Sequence, residues 1–415
     1  MTTHQPPENT GANTGNANTA KARRAVAYFF TLLGIVSGAW AARIPAVKHD
    51  LHLTDGQLSY GLLAVAIGLV TGMRFAGHLT DRLGSARLIT PAAITTALAV
   101  IPPGHAPTLP TLIATLFLFG LTNAFLDVSM NAHGVEVERA HGRPIMSSFH
   151  GMFSLGCLTG AGIGALFAAL DLSAATTLTA VGLPLALTSL YARRHLLPTT
   201  PHPATTTTTP HRRAPWTGWI ILMGVVAFSG LVGEGAANDW TAVYLFQHLG
   251  ASQAVAAAGF AAFSTAMTLG RFAGDHLAQR LGPVRLVRYS GILATLGLST
   301  ALLAGRLPIA IAGFTLFGLG LATIVPQVFS AAGNHDPARA GQAIAQVATV
   351  GYAGLVAGPA IIGGAAELVG LPAALGIPAL LAAFMAASAG ALNPQKTPQQ
   401  NTPPATTDGK DTHPR

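Results

Sequence analysis

The sequence predicts an all-α membrane protein with twelve transmembrane helices in two pseudo-symmetric six-helix bundles. Residues 74–84 read RFAGHLTDRLG, and residues 271–282 read RFAGDHLAQRLG, which is the same phrase with one residue inserted and two replaced. The tripeptide FGL at 119–121 also returns at 317–319. Both repeats are displaced by 197 to 198 residues, close to half of the 415-residue chain. A duplicated half in an apolar chain is typical of membrane transporters built from related bundles.

The composition indicates that lipid is the solvent for most of the chain. Half of the residues are hydrophobic and 9% are charged, whereas a soluble protein carries about 25% charged residues. The net charge of +8 does not indicate nucleic-acid binding, because the basic residues lie at the ends of apolar runs rather than in one cluster. The single cysteine, Cys157, excludes an internal disulfide.

Twelve apolar runs are long enough to cross a bilayer, which takes roughly 20 helical residues. A polar stretch at 192–215 separates them six and six and is predicted to be a flexible cytoplasmic linker. Residues 1–23 and 394–415 are predicted to be disordered cytoplasmic termini, which leaves one bundle at 24–191 and another at 216–393. The predicted spans are 24–44, 57–79, 86–103, 109–132, 144–169, 173–191, 216–245, 252–274, 285–304, 308–331, 341–365 and 370–392.

Lys and Arg residues determine the predicted orientation, because cytoplasmic loops carry an excess of both. With a cytoplasmic N-terminus, 20 of the 23 basic residues fall on the cytoplasmic side. The remaining three are Arg43, Lys48 and Arg306. This distribution predicts that both termini are cytoplasmic, and it supports an even number of spans.

The first copy of the repeat resembles a loop signature of the major facilitator superfamily. That signature lies between helices 2 and 3, where residues 77–87 read GHLTDRLGSAR. The resemblance implies that Asp81 faces the N-terminus of helix 11, where the helix dipole is positive, and latches the two halves. A simple helix cap is the alternative. The second copy has Gln279 where the first has Asp81, so an acidic role for this second copy is not expected.

Four further segments resemble the MosC/YbjJ-type branch of that superfamily, and the resemblance covers roughly residues 24–392. One member of the branch is associated with rhizopine, an inositol-like compound, which implies little about the cargo here. We expect a monomer in a bacterial plasma membrane, with a small-molecule substrate, protons and lipid as partners, and with no nucleic acid, cofactor or metal ion. The segments are 38–45 (GAWAARIP), 126–132 (LDVSMNA), 148–151 (SFHG) and 234–240 (EGAANDW).

Ionisable residues inside membrane spans are costly and are usually paired or functional. At 1.5 Å per residue, Arg43 on helix 1 and Glu234 on helix 7 each lie roughly 27–28 Å along their helices, near the outer boundary. We expect Arg43 to pair with Glu234 or Asp239 across the halves as an outer gate; the alternative is that these are interfacial residues in water. Asn238 lies one turn beyond Glu234. Trp40 is either a stacking platform for a ring or an interfacial anchor.

A second polar group is predicted nearer the cytoplasmic side. It contains Asp127 and Asn131 on helix 4, His150 on helix 5, the repeated residues Arg74 and Arg271, and Gln327. Asp127 and His150 are predicted to exchange a proton, since a neighbouring carboxylate favours the charged histidine. The alternative is a static pair between Arg74 and Asp127 that holds helices 2 and 4 together.

Asn123 and Tyr352 are predicted near mid-membrane in different halves, where transporter sites lie. Hydrogen bonds between helices are the alternative role for each. The predicted substrate contacts are Trp40, Asn123, Asn131, Asn238 and Tyr352; the predicted proton-coupling residues are Asp127, His150 and Glu234; and the predicted gating residues are Arg43, Arg74, Asp81, Arg82, Asp239 and Arg271.

Glycines recur every four residues on two of the predicted helices. Gly156, Gly160 and Gly164 lie on helix 5, and Gly354 and Gly358 lie on helix 11. Small residues at this spacing let helix backbones approach closely. We therefore expect helices 5 and 11 to contact the other half of the molecule and to rock during transport.

The sequence thus predicts a secondary active transporter that moves a small solute by alternating access, driven by a proton gradient. A Walker-type phosphate loop is absent from the sequence, which argues against ATP drive. One alternative is a proton-driven efflux antiporter for drugs or secondary metabolites, although Gly160-Ala161 replaces the Gly-Pro step that such antiporters carry in helix 5. A membrane-embedded enzyme is disfavoured, because the 15 histidines are scattered and metal or nucleophile spacings are missing.

The predicted topology places Arg306 and Arg339 on opposite sides of the bilayer, because one span separates them. Cysteine introduced at each position in a Cys157→Ser background should react with an impermeant maleimide from opposite sides in intact cells and inverted vesicles. Labelling of both positions from one side would contradict the two-bundle topology.

Overall fold

The computed structural model describes residues 10–53, 55–198 and 215–393, and it is almost entirely helical in these ranges. The predicted linker lies in part, at 199–214, and the predicted C-terminal tail lies wholly, at 394–415, outside the described residues. The helices of the first half are α1 (Thr10–Asp50), α2 (Asp55–Leu83), α3 (Ser85–Ala99), α4 (Leu109–His141), α5 (Met146–Ala169) and α6 (Ala174–Ala192). Those of the second half are α7 (Gly218–Leu249), α8 (Gln253–Leu303), α9 (Leu307–Leu321), α10 (Ile324–His335), α11 (Ala340–Val369), α12 (Leu371–Ala374) and α13 (Gly376–Ser388).

Eleven helical segments in the described ranges are long and apolar enough to cross a membrane. One of them, Ala258–Leu303, has 46 residues, so it would be about 69 Å long as one straight helix at 1.5 Å per residue. That is more than twice the roughly 30 Å of a hydrocarbon core. The backbone of this segment is non-helical at Gly282, with φ of 74° and ψ of 161°, and Pro283 follows. The sequence predicts two separate spans here, at 252–274 and 285–304.

Helix α1 begins at Thr10, inside the stretch 1–23 for which the sequence predicts disorder. Asn, Thr and Gly are poor helix formers, and their abundance suggested disorder. Once the membrane-spanning part of α1 is helical, however, each further residue adds a hydrogen bond without a new nucleation step. Residues 10–23 therefore extend the helix that the apolar run begins.

Local sequence signals explain where several helices start and stop. The Thr217 hydroxyl accepts a hydrogen bond from the Ile220 N–H at 3.2 Å, and the Ser173 hydroxyl accepts one from Thr176 at 3.1 Å. These are N-caps, which satisfy amides that have no partner inside the helix. At the other end of α4, Gly142 adopts a φ of 68°, a left-handed conformation that glycine adopts at little cost.

The outer surface of the bundle is apolar. Large hydrophobic side chains such as Leu187, Leu303 and Leu380 are 68%, 85% and 74% exposed. A soluble protein rarely leaves such contiguous apolar surface uncovered. The exposure of these leucines therefore supports a lipid-facing exterior.

The glycine rows of α5 and α11 pack inside their own halves. A Cβ atom at Gly156 or Gly160 would overlap the carbonyl oxygens of Thr31 and Ile35 on α1. A Cβ atom at Gly354 would lie 2.6 Å from the carbonyl oxygen of Phe228 on α7. We call these contacts the α1–α5 seam and the α7–α11 seam. Helices α5 and α11 do contact the other half, as expected, but through residues outside these rows.

The two halves meet at one end of the molecule. We call it the basic end, because α2 ends there at Arg82-Leu83 and α11 begins there just after Arg339. Helix α2 packs on α11, α5 packs on α8, and α4 packs on α10. Within the described residues, the hydrogen bonds that cross between the halves lie at this end or near the centre.

The α1–α5 seam predicts opposite effects for two neighbouring glycines. Gly160→Ala should destabilise the protein, because its Cβ would force α1 and α5 apart; overpacking of this kind costs about 1–3 kcal/mol. Gly162→Ala is the matched control: nothing lies within 4 Å of a Cβ there, so alanine's helix propensity should stabilise slightly. Thermal unfolding of the purified variants in detergent measures both. Equal melting temperatures would contradict this description of the seam.

Candidate functional site

A carboxylate on α2 holds the N-terminus of α11. The two oxygens of Asp81 accept hydrogen bonds from the backbone N–H groups of Gly341 at 2.7 Å and Gln342 at 3.1 Å. The first amides of a helix have no partner inside it and carry partial positive charge. Glycine at position 77 lets α2 approach α11 closely enough for Asp81 to reach these amides, since a Cβ at Gly77 would lie 2.8 Å from the Gly341 oxygen. The contact joins the first half to the second.

A second carboxylate makes the equivalent contact in reverse. Asp275 on α8 accepts hydrogen bonds from the backbone N–H groups of Ser147 at 2.8 Å and Ser148 at 2.9 Å, at the start of α5. Gln279 stands at the position equivalent to Asp81 and is exposed. The expectation that the second copy has no acidic role is therefore wrong, because Asp275 supplies the carboxylate one helical turn earlier. Its position directly after Gly274 is the sequence signal that could have revealed it.

Glu138 and Arg139 form a further link that sequence reasoning missed. Glu138 accepts hydrogen bonds from the N–H groups of Ile145 and Met146, at 2.8 and 3.0 Å, and from the Ser330 hydroxyl of α10. Arg139 donates to the Asn334 side-chain oxygen at 2.6 Å and to the Gly333 carbonyl oxygen. The adjacent acid and base at the end of α4 were the available signal.

Together with Asp275, Glu138 completes the hydrogen bonding at the start of α5. Four successive amides, from Ile145 to Ser148, each donate to a carboxylate oxygen. Glu138 belongs to the first half of the molecule, and Asp275 belongs to the second half. The N-terminus of α5 is therefore fully paired only while the two halves are in contact at the basic end.

Arg271 on α8 is the centre of a buried polar cluster. Its guanidinium group donates to the Glu234 carboxylate of α7 at 3.0 Å and to the Ser154 hydroxyl of α5 at 2.5 Å. Arg271 is 7% exposed, so this ion pair is largely removed from solvent. Buried ion pairs of this kind require good geometry to offset their desolvation. Because Ser154 belongs to the first half, Arg271 also connects the two halves.

Asp127 on α4 lies in the same region without a cationic partner. Asn131 donates to its carboxylate oxygen at 3.1 Å. The hydroxyl group of Tyr352, on α11, also interacts with the Asp127 carboxylate. Asp127 is 4% exposed, and its second carboxylate oxygen is buried without a hydrogen bond among the described residues. A buried carboxylate with only neutral partners is electrostatically costly.

His150 lies between aromatic rings rather than beside Asp127. Its ring centroid is 5.2 Å from Phe30 and 5.9 Å from Phe329. Its Nε2 atom is buried and makes no hydrogen bond within the described part of the chain. The structure therefore does not bring His150 and Asp127 into the hydrogen-bonded arrangement that direct proton exchange requires.

The position of Glu234 differs from the sequence prediction. It was expected near the outer boundary beside Arg43, whereas it pairs with Arg271 in the central cluster. The physical reason is the length of α7, which continues to Leu249 and so places Glu234 at its midpoint. Arg43 is 4% exposed and donates to the Leu172 carbonyl oxygen at 2.6 Å, inside its own half.

Arg74 does not pair with Asp127, so the static pair considered above is not formed. The Arg74 side chain is exposed on the outer side of α2. It lines a cleft between α2 and α11. Arg82 is also exposed, one turn beyond His78. The repeated arginines therefore have different environments: Arg271 points into the bundle and Arg74 does not.

The remaining predicted residues are spread along the molecule. Trp40 is 6% exposed and belongs to the hydrophobic core. Asn123 is half-buried on α4, one turn from Asp127. Asn238 and Asp239 are exposed on α7 beyond Glu234. Of the predicted residues, the structure gathers Asp127, Asn131, Glu234, Arg271 and Tyr352 into the central cluster.

Comparisons with known proteins agree with this architecture. The chain matches the Major Facilitator Superfamily over residues 25–359 and also over 240–412. It is 35% identical over 375 residues to the transporter y4wD of Sinorhizobium fredii, covering 89% of this chain and 97% of that protein. It is 31% identical over 343 residues to the membrane protein MosC of Rhizobium meliloti, covering 82% of each.

A solved structure shows the same fold. FucP, a major facilitator transporter in the outward conformation, superimposes with a TM-score of 0.73 at 15% identity, covering 89% of this chain and 98% of that chain. The resemblance found in the sequence is therefore confirmed by the family match, by the relatives and by the fold. The chain belongs to the Major Facilitator Superfamily, in the branch that contains MosC, and is a transporter rather than an enzyme.

Proposed function

We propose that this protein is a proton-coupled secondary transporter that moves one small solute across a bacterial plasma membrane by alternating access. It has twelve spans, with the two arms of α8 counted separately, and both termini are cytoplasmic. The basic end is then the cytoplasmic end. The hydrogen bonds from helix N-termini to carboxylates of the opposite half carry the proposal, because they close one end of the molecule in a reversible way.

Closure at the basic end rests on a reciprocal pair of contacts. Asp81 of the first half binds the N-terminus of α11, and Asp275 of the second half binds the N-terminus of α5. Each contact consists of two charge-assisted hydrogen bonds, which water can replace when the halves separate. In the described conformation both contacts are formed. The central cluster is therefore shielded at the basic end, which supports a state accessible from the opposite end.

Asp127 is the proposed proton site. Glu234 has a cationic partner in Arg271, whereas the partners of Asp127 are the neutral Asn131 and Tyr352. Protonation removes the cost of burying a carboxylate that has no counter-charge. Tyr352 belongs to the other half, so the protonation state of Asp127 influences a contact that alternation must remake. Glu234 and Arg271 then maintain the ion pair at the centre.

The same region is the proposed solute site. Asp127 Oδ2 and Asn131 Oδ1 are buried acceptors without a hydrogen bond within the described ranges, and His150 Nε2 and Arg271 Nε are likewise unpaired there. Buried polar atoms normally have a partner. We infer a solute that is neutral or singly charged and that offers hydrogen-bond donors to the α4 acceptors.

Removing one latch should weaken both if the halves move as units. Asp81→Asn should accelerate amide exchange at Gly341 and Gln342 by about tenfold or more, since hydrogen bonds to charged groups contribute about 1.5–3 kcal/mol. It should also accelerate exchange at Ser147 and Ser148, which Asp81 does not touch. Hydrogen-exchange mass spectrometry on the purified protein measures both segments.

The exposed Gln279→Ala is the control for this experiment and should leave both segments unchanged. An effect of Asp81→Asn that is confined to the start of α11 would show that Asp81 is a local helix cap rather than a latch between the halves.

Asp127→Asn should uncouple solute movement from protons. A polyol that raises the melting temperature of the wild-type protein is added outside proteoliposomes with and without a pH gradient. The wild type should accumulate it until a protonophore is added. Asp127→Asn should retain exchange of the solute but lose accumulation, because asparagine cannot take up the proton. Glu367→Gln, at the exposed far end of α11, is the control that should still accumulate; gradient-driven uptake by Asp127→Asn would refute the assignment.

A further inference from the structure

A cleft of about 480 Å³ lies between α2 and α11, on the seam between the two halves. Its floor is formed where the helices touch, because Thr349 donates to the Met73 sulfur at 3.6 Å and a Cβ at Gly77 would meet Ala345 at 2.8 Å. Arg74 lines its wall on the α2 side. The cleft is therefore bounded by both halves, on the outside of the bundle.

Arg74 carries a charge that nothing in the described chain balances. Its side chain makes no hydrogen bond or ion pair with another residue in the described ranges, and it is exposed. An arginine within a membrane-spanning helix is costly without a partner. Arg74 lies nine residues before Leu83, the last residue of α2, so about 14 Å of helix separates it from the basic end.

The second half shows that Arg74 has no counterpart of the Arg271 ion pair. Arg271 aligns with Arg74 in the repeated phrase and pairs with Glu234, but helix packing places Phe272 in the position of Arg74, since Gly270 meets Ala322 as Gly72 meets Ala124. The glycine seams give the register between α1 and α7: Gly156 meets Thr31, and the equivalent Gly354 meets Phe228. By this register the position equivalent to Glu234, which is offset by the same 197 residues that separate Thr31 from Phe228, is the uncharged Ser37.

The surroundings of Arg74 match an amphipathic anion. Phe75, the next residue on α2, is 55% exposed, and Ile67 is 50% exposed two turns away. Trp216 lines the cleft from the start of the second half and is 52% exposed. Tryptophan prefers the level of lipid head groups, and basic pockets between membrane helices bind anionic head groups.

We propose that this cleft binds one anionic phospholipid, with its phosphate at Arg74 and its acyl chains along the exposed apolar face of α2. The long arginine side chain can extend towards the basic end, where head groups lie, while its aliphatic part stays among apolar groups. A lipid is the occupant that the site favours, because the cleft lies on the outer surface of membrane-spanning helices.

The position of the cleft gives the bound lipid a conformational effect. Gln342 lines the cleft, and its backbone N–H donates to Asp81. Separation of α2 from α11 would break the Asp81 contact and dismantle the cleft together. The lipid therefore binds the form that is closed at the basic end, and by reciprocity it increases the population of that form.

The test uses the full-length protein in a zwitterionic detergent and measures lipid binding by native mass spectrometry and by thermal shift. Short-chain phosphatidylglycerol should bind and stabilise the wild type, whereas phosphatidylcholine with the same chains and inorganic phosphate should not. Arg74→Gln should weaken phosphatidylglycerol binding by about fivefold, since one basic residue near the surface contributes about 1 kcal/mol. Arg74→Lys should retain most of the binding.

Arg285→Gln is the matched control, because Arg285 is an exposed arginine at the basic end outside the cleft. Unchanged affinity in Arg74→Gln, an equal loss in Arg285→Gln, or equal stabilisation by phosphatidylcholine or by free phosphate would each overturn the proposal. A photoactivatable phosphatidylglycerol with the wild-type protein supplies an independent readout. Cross-links should map to peptides from α2 and the first part of α11, and mapping elsewhere would overturn the assignment even if the variants fail to fold.

Discussion

The unpaired amides at helix N-termini are the constraint on which the arrangement of the two halves depends. Lipid offers these groups no hydrogen-bond partner, so they must be satisfied by protein or by water at the membrane surface. Here Asp81 and Asp275 satisfy them across the interface between the halves, and Glu138 completes the set at α5. These few charge-assisted hydrogen bonds act together with the packing of α2 on α11 and of α5 on α8 to join the halves at the basic end.

The chemistry of the site lies where the two halves differ. In the repeat, Val325 is the position equivalent to Asp127, and Ser154 is the position equivalent to Tyr352. Glu234 corresponds to Ser37, and of the two repeated arginines only Arg271 has an acidic partner within the described part of the chain. The repeat gives two related halves. Among the described residues, the polar cluster lies at positions where these halves differ.

The sequence predicts the architecture well because repeats, apolar length and basic residues each report on the membrane directly. It is less informative about pairing. Residue counts from the cytoplasmic face predict that Arg43 and Glu234 lie at the same depth. This prediction is wrong because α7 is longer than the bilayer requires, which leaves Glu234 at its midpoint. Alignment of the two copies pairs Asp81 with Gln279 and does not reveal Asp275. A carboxylate one helical turn away from the aligned position can still bind the same kind of helix N-terminus. The packing of the glycine rows on α1 and α7 depends on the rotation of each helix, which spacing alone does not determine.

The glycine seams separate the mechanics of the molecule from its recognition chemistry. Helix α5 packs on α1, and α11 packs on α7, through close approaches at glycines, several of them to backbone carbonyl oxygens. Such contacts are indifferent to which side chains project from the remaining faces. Residues that face the central cluster from α4, α7 and α8 can therefore change during evolution while the glycine contacts of each half are preserved. Relatives that keep the α1–α5 and α7–α11 seams can therefore acquire different solutes through substitutions at a few cluster positions that make no contact in these seams.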